Sequence, residues 1–146
     1  MTKFDFSSVK KQVIDFRQIK MILGKAEKSL VSSRHILQQD PESAFTLAYE
    51  SMLRASMALM FSCGYRPRVQ LGHHKTLVIF SKYVLGEAFA SMTATYDKMR
   101  SKRNRVVYDV GAVSETEAKE GLKMAEKYLR VIRKKIEEEN PQLKLI

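Results

Sequence analysis

The sequence predicts an all-α protein built as an up-and-down bundle of about five helices. Two observations carry this expectation. Apolar residues recur at three- and four-residue steps through long segments, with no alternating run of strand length among them. Only three prolines and six glycines punctuate 146 residues, so breaks are few and the connections between elements are short. An apolar content of 45% suffices for one core at this length, and one domain over residues 1–146 is the expectation.

The elements follow in order. Ser7 or Ser8 can cap a first helix whose apolar positions Val9, Val13, Phe16, Ile19, Leu23, Ala26 and Leu30 continue towards Leu37, with Gly24 as a candidate kink. Gln39-Asp40-Pro41-Glu42 stops that helix and starts a second, with Asp40 as N-cap and Pro41 in the first helical position. The second helix runs to about Cys63. Its alanines Ala44, Ala48, Ala55 and Ala58, set among Phe45, Leu47, Met52, Leu59 and Met60, predict close packing on more than one side and a central place in the bundle. Gly64 to Gly72 reads as a basic loop, because Gly64 suits a helix C-cap and Pro67 disfavours helix at Arg66. A third helix from about His74 to Leu85 and a fourth from about Glu87 to Tyr108 are separated at Gly86. Ser114-Glu-Thr-Glu117 is a capping box that opens a fifth, amphipathic helix with Leu122, Ala125, Tyr128 or Leu129, Ile132 and Ile136 on one face, ending near Asn140-Pro141.

Charge narrows the partners. With 26 Lys and Arg against 16 Asp and Glu the formal charge is +10, which favours polyanions through steering and counterion release, nucleic acid first and anionic membrane behind it. The lone cysteine, Cys63, rules out an intrachain disulfide and in Leu59-Met-Phe-Ser-Cys63 predicts a buried thiol, as in a reducing compartment. No run approaches the ~18 apolar residues of a membrane span and no leader pattern opens the chain, so a soluble cytoplasmic protein is expected.

The fourth helix holds the one clear departure from amphipathic patterning. At 100° per residue, Leu85, Ala88, Phe89, Met92, Tyr96, Met99, Val106 and Val107 fall on one stripe, and Arg103 lies at its centre. A guanidinium there is costly unless it is paired, snorkels to water or meets a partner or anionic ligand. Lys98, Arg100, Lys102, Arg103 and Arg105 make residues 98 to 105 a run of cations without an acid. A solvated face and favourable charge at a helix C-terminus account equally well for the run as a whole, though not for Arg103.

Arg103-Asn-Arg-Val-Val-Tyr108-Asp109 resembles the signature of the HEPN superfamily, in which an arginine and a polar residue precede a histidine by a few positions. Ala44-Phe-Thr-Leu-Ala-Tyr49 and the helix that continues to Gly64-Tyr65 resemble that superfamily's central helix, and His73-His74-Lys75 resembles the start of the next. The resemblance implies a helical bundle that dimerises so that two signature motifs face one another and bind RNA, or cleave it without metal, often as a toxin beside a nucleotidyltransferase-type antitoxin. Here the histidine position holds Tyr108. Phenols titrate near ~10 and imidazoles near ~6.5, so a tyrosine is the poorer proton carrier at neutral pH. In a cleavage reaction the RNA 2′-hydroxyl would attack the adjacent phosphate, Arg103 would stabilise the phosphorane, Asn104 would orient phosphate or base, and Tyr108 would relay a proton. On an uninterrupted helix Arg103 and Tyr108 point about 140° apart, so a joint role needs a dimeric site or a helix that ends before Tyr108.

Arg100, Lys102 and Arg105, with Arg66 and Arg68 from the basic loop and Lys75 beyond it, are candidates for a nucleic-acid track. His73 and His74 lack ligating neighbours at metal spacing, and capping or hydrogen bonding at the helix start is their expected role; no metal and no cofactor is called for. His35 reads as a surface residue and Met52, Met57 and Met60 as core filler. Two functions stay open: an RNA-binding homodimer with endoribonuclease activity, and a non-catalytic module that binds nucleotide or docks a nucleotidyltransferase. A DNA-binding regulator is disfavoured by the absence of helix-turn-helix spacing.

Overall fold

The computed structural model describes residues 3–68, 73–108 and 111–141. The basic-loop positions Val69 to Gly72 and the motif residue Asp109 lie outside them. Among the described residues five helices carry the fold: α1 (Phe16–Ile36), α2 (Pro41–Ser62), α3 (His73–Leu85), α4 (Ala90–Tyr108) and α5 (Glu115–Glu139). The all-α bundle expected from the sequence is the architecture found.

The helix starts obey local chemistry. Asp40 accepts from the Ser43 amide with Pro41 in the first turn of α2, and Ser114 and Glu117 form the reciprocal capping box of α5. Between α3 and α4 the chain passes Gly86 at φ 80° and makes one 3₁₀ turn over Glu87–Phe89, so α4 begins later than its periodicity indicates. A residue with a Cβ is strained at that φ, which is why the break falls on glycine.

The N-terminus differs from expectation. Asp15, not Ser7 or Ser8, caps α1, its carboxylate accepting from the Arg17 and Gln18 amides. Before it lie a 3₁₀ turn at Phe6–Ser8 and a short strand, β1 (Val9–Lys11). β1 pairs antiparallel with β2 (Tyr65–Pro67) in the register Val9 with Pro67 and Lys11 with Tyr65. Val13, assigned to a helical face by spacing, is exposed, whereas Val9 is buried in the ribbon. α1 runs without interruption through Gly24.

α2 lies at the centre, packed against α1, α5, α3 and α4. Ala44, Ala48, Ala55 and Ala58 are fully buried, which lets neighbouring backbones approach as their small size predicts. The apolar face of α5 is buried along Leu122, Ala125, Tyr128, Leu129, Ile132 and Ile136. Two buried serines join helices through their hydroxyls, while Ser51 and Ser81 are buried with no hydrogen-bond partner among the described residues. Ser33 donates to the Ala44 carbonyl at 2.7 Å, and Ser56 Oγ lies 2.6 Å from the Tyr128 hydroxyl and 3.0 Å from that of Tyr96. A smaller cluster of Val9, Met60, Leu77 and Phe80 sits under the ribbon. Cys63 ends α2 as its C-cap and is half-buried rather than buried. Of the expected stripe, Leu85, Met92, Tyr96 and Met99 are buried, but Ala88 and Val107 are exposed: Ala88 lies in the 3₁₀ turn, outside the helical register, and Val107 in the last turn of α4. Among the described residues no helix is long and apolar enough to cross a membrane.

Candidate nucleic-acid interface

Arg103 is half-buried, held by the core-facing register of α4 and kept from full burial by its length. Its guanidinium carbon stands 5.9 Å from the centre of the Tyr49 ring on α2, within range of a cation–π contact. Nη1 donates to Asn104 Oδ1 at 3.4 Å. Nε is buried and has no hydrogen-bond partner among the described residues. A buried N–H without an acceptor is rare and marks strain or a site that an acceptor completes.

Around Arg103 the structure assembles residues from three helices. The Tyr49 hydroxyl lies 3.0 Å from His74 Nδ1 at the start of α3, and the His74 ring also stacks at a tilt on that of Tyr49, 5.8 Å between centres. One turn before Arg103, Arg100 Nε donates to Asp97 at 2.9 Å, and Lys75 reaches the same carboxylate at 3.4 Å. Burial works against ionisation of Asp97, but the Arg100 hydrogen bond and charge and the nearby Lys75 outweigh it and hold the carboxyl below its ordinary range. Burial pushes the Tyr49 phenol well above 10, opposed by Arg103 and Arg100. His74 is pushed down to about 4, by burial first and then by its neighbours His73, Arg103 and Arg100. Tyr49 therefore keeps its proton and His74 is neutral at pH 7. Since the Tyr49 O–H has His74 Nδ1 as its one acceptor among the described residues, the hydrogen-bond pattern assigns the imidazole proton to Nε2.

The sign of the resulting pH dependence is fixed. The folded His74 titrates at about 4 against 6.5 for the free side chain, so the unfolded chain binds the extra proton between those values. Stability is complete above pH 6.5, falls as the pH is lowered towards about 4, and levels below it. Urea unfolding of wild type and His74→Gln at pH 7 and pH 5 should show a larger drop for wild type. Equal drops would contradict the assignment. Asp97 contributes only at lower pH, since its own range lies below 3.8.

The remaining expected residues disperse. α4 continues as an unbroken helix through Tyr108, so the helix does not end early, and Tyr108 is 80% exposed, turned about 140° from Arg103. One protomer does not bring Arg103 and Tyr108 together. Lys102 faces α5 and pairs with Glu117 at 3.4 Å. With Lys98 and Arg105 it lines one wall of a groove of about 630 Å³ over Phe45, Met99 and Met124, away from the Arg103 face. Arg66 is exposed on the ribbon. Arg68 is exposed and donates to the Ser7 and Val9 carbonyls, which ties the N-terminus to the segment after β2. Among the described residues no group of His, Cys, Asp or Glu is arranged to hold a metal.

Sequence spacing brought Arg103, Asn104 and Arg100 to notice but not their setting. Tyr49 stands 54 residues from Arg103 and 25 from His74 along the chain (103 − 49 and 74 − 49). Only the resemblance of the central helix, and a pair of histidines at a helix start, hinted at either. No family model matches the sequence, and no curated protein is significantly similar to it.

Proposed function

We propose that this protein binds RNA through the face of α4 that carries Arg100, Arg103 and Asn104, and that it does so as a homodimer. The observation that carries the reading is the half-buried Arg103, whose Nε has no acceptor among the described residues. A phosphate oxygen supplies that acceptor once the half-buried guanidinium turns outward to meet it, and the net charge of +10 supplies the long-range attraction. The likeness of Arg103-Asn104 and Tyr108 to the HEPN signature supports the same ligand. Metal-independent cleavage is the stronger form of the proposal. It requires a second copy, because Tyr108 lies on another side of the helix from Arg103 and its 80% exposure leaves it free to reach across a dimer. In that arrangement Arg103 of one protomer stabilises the phosphorane while Tyr108 of its partner moves the proton.

The test uses labelled single-stranded RNA in EDTA with wild type and Arg103→Ala. Binding should weaken with salt along a slope of roughly −0.7 for each phosphate contact, and Arg103→Ala should lower the slope by about that amount. Cleavage present in wild type and lost in the variant makes the protein a ribonuclease. Salt-dependent binding without turnover makes it a binding protein, and identical affinities refute both. A second reading, docking of a nucleotidyltransferase on the end of α4, is favoured by Val107 and Tyr108, which are both exposed there. Co-purification lost in Tyr108→Ala but retained in Arg103→Ala would select it.

A further inference from the structure

The signature position that would hold an imidazole holds Tyr108, yet an imidazole stands near Arg103 all the same. It comes from α3. His74 and Arg103 each lie within 6 Å of the Tyr49 ring, by centre-to-centre distance for the imidazole and by Cζ for the guanidinium. Tyr49 itself is 1% exposed, packed beside Tyr96, and so gives both a fixed support. With Nδ1 taken by the phenol, the ring has one remaining polar atom, Nε2, which has no hydrogen-bond partner among the described residues. Arg103 Nε is likewise without a partner. Two unused N–H groups from different helices, beside Arg100, are what an oxyanion with several lone pairs can satisfy together.

We propose that His74 is a third member of the anion site, held through Nδ1 by the Tyr49 hydroxyl so that Nε2–H donates to a phosphate held by Arg103 and Arg100. The inference rests on the RNA reading of that site and names one more residue in it. Neutrality is part of the role, because an uncharged donor adds a hydrogen bond without adding repulsion between cations already close together. The charged and titratable groups around the ring are Tyr49 from α2, His73 and Lys75 from its own helix, and Asp97, Arg100 and Arg103 from α4. A bound phosphodiester offsets the two arginines and therefore eases protonation of His74.

The probe is a short single-stranded oligouridylate, with affinity measured in EDTA and the imidazole followed by ¹H–¹⁵N spectroscopy. In the free protein His74 should be the Nε2-protonated tautomer with a midpoint of about 4. The oligonucleotide should move the Nε2–H resonance and raise that midpoint by roughly one unit. His74→Ala should weaken binding by about tenfold, the effect of one hydrogen bond to a charged group. His74→Gln, whose amide can place a donor near the Nε2 position, should keep most of the affinity. A merely structural His74 would move neither the midpoint nor the Gln-against-Ala contrast. Wild-type affinity in His74→Ala together with weakened binding in Arg103→Ala would overturn the role of His74 and leave the RNA reading standing. Wild-type affinity in both variants would remove the RNA reading itself. Should His74→Ala melt early, the wild-type resonances and the Gln variant decide alone, with an unmoved midpoint counting against the proposal.

Discussion

Ser56→Ala should destabilise the bundle by about 2–4 kcal/mol, far more than the loss of one small side chain would cost. The reason is what the serine holds together. Ser56 Oγ lies 2.9 Å from the Met52 carbonyl, 3.0 Å from the Tyr96 hydroxyl and 2.6 Å from the Tyr128 hydroxyl, and all three side chains are fully buried. Removing it leaves two phenols without that partner where water does not reach; a buried unsatisfied group costs about 1–3 kcal/mol, and the Ser81 hydroxyl is placed to compensate Tyr128 only. Burial pushes the Tyr128 phenol up to about 12 and raises that of Tyr96, so neither escapes by ionising. Urea unfolding checks the prediction. In a Ser56→Ala background, Tyr128→Phe should then cost less than it does in wild type, because the hydroxyl it removes no longer has this partner. A loss below about 0.5 kcal/mol for Ser56→Ala would mean that the network contributes nothing beyond packing.

That network also marks where the sequence stops being legible. α5 could be read to its first residue, because a capping box at Ser114 and Glu117 and an apolar face of Leu122, Ala125, Leu129, Ile132 and Ile136 are local signals that agree. The start of α2 at Asp40-Pro41 was legible for the same reason. The start of α1 was not. Val9 and Val13 happen to continue the helical spacing of Phe16 and Ile19, but Val9 is claimed by pairing with Pro67, a contact 58 residues away (67 − 9) that no local pattern announces. The hydrogen bonds from Arg68 to the Ser7 and Val9 carbonyls are hidden from local pattern for the same reason. At the candidate site the helical wheel located Arg103 on the seam, because a charge among apolar neighbours is a violation visible within one element. Its support by Tyr49 and the place of His74 are tertiary facts, joining three helices, and periodicity within one helix carries no information about them.

Arg103→Met should separate stability from function with opposite signs. RNA affinity should fall by at least about tenfold, since a charge-assisted hydrogen bond to phosphate is worth roughly 1.5–3 kcal/mol. Stability should be unchanged or rise by up to about 1 kcal/mol. Methionine keeps the flexible apolar stem that packs in the seam beside Tyr49. It removes a guanidinium that has no acid partner among the ion pairs of the described residues, one weak 3.4 Å hydrogen bond to Asn104, and a buried N–H without an acceptor. Against those gains stands the loss of the contact with the Tyr49 ring at 5.9 Å, about 0.5–1 kcal/mol at a partly exposed site. Arg100 is a useful contrast, because it already has an acid partner in Asp97 at 2.9 Å, and Arg100→Met should give no such gain. Thermal and urea unfolding beside the binding assay measures both signs on the same samples. If Arg103→Met unfolds more readily than wild type by more than about 1 kcal/mol, the arginine stabilises the fold in its own right and its placement on the seam needs no ligand. If it is at least as stable and no longer binds, a residue that costs the folded chain stability is kept for what it holds, which is the physical meaning of a functional site at odds with its own core.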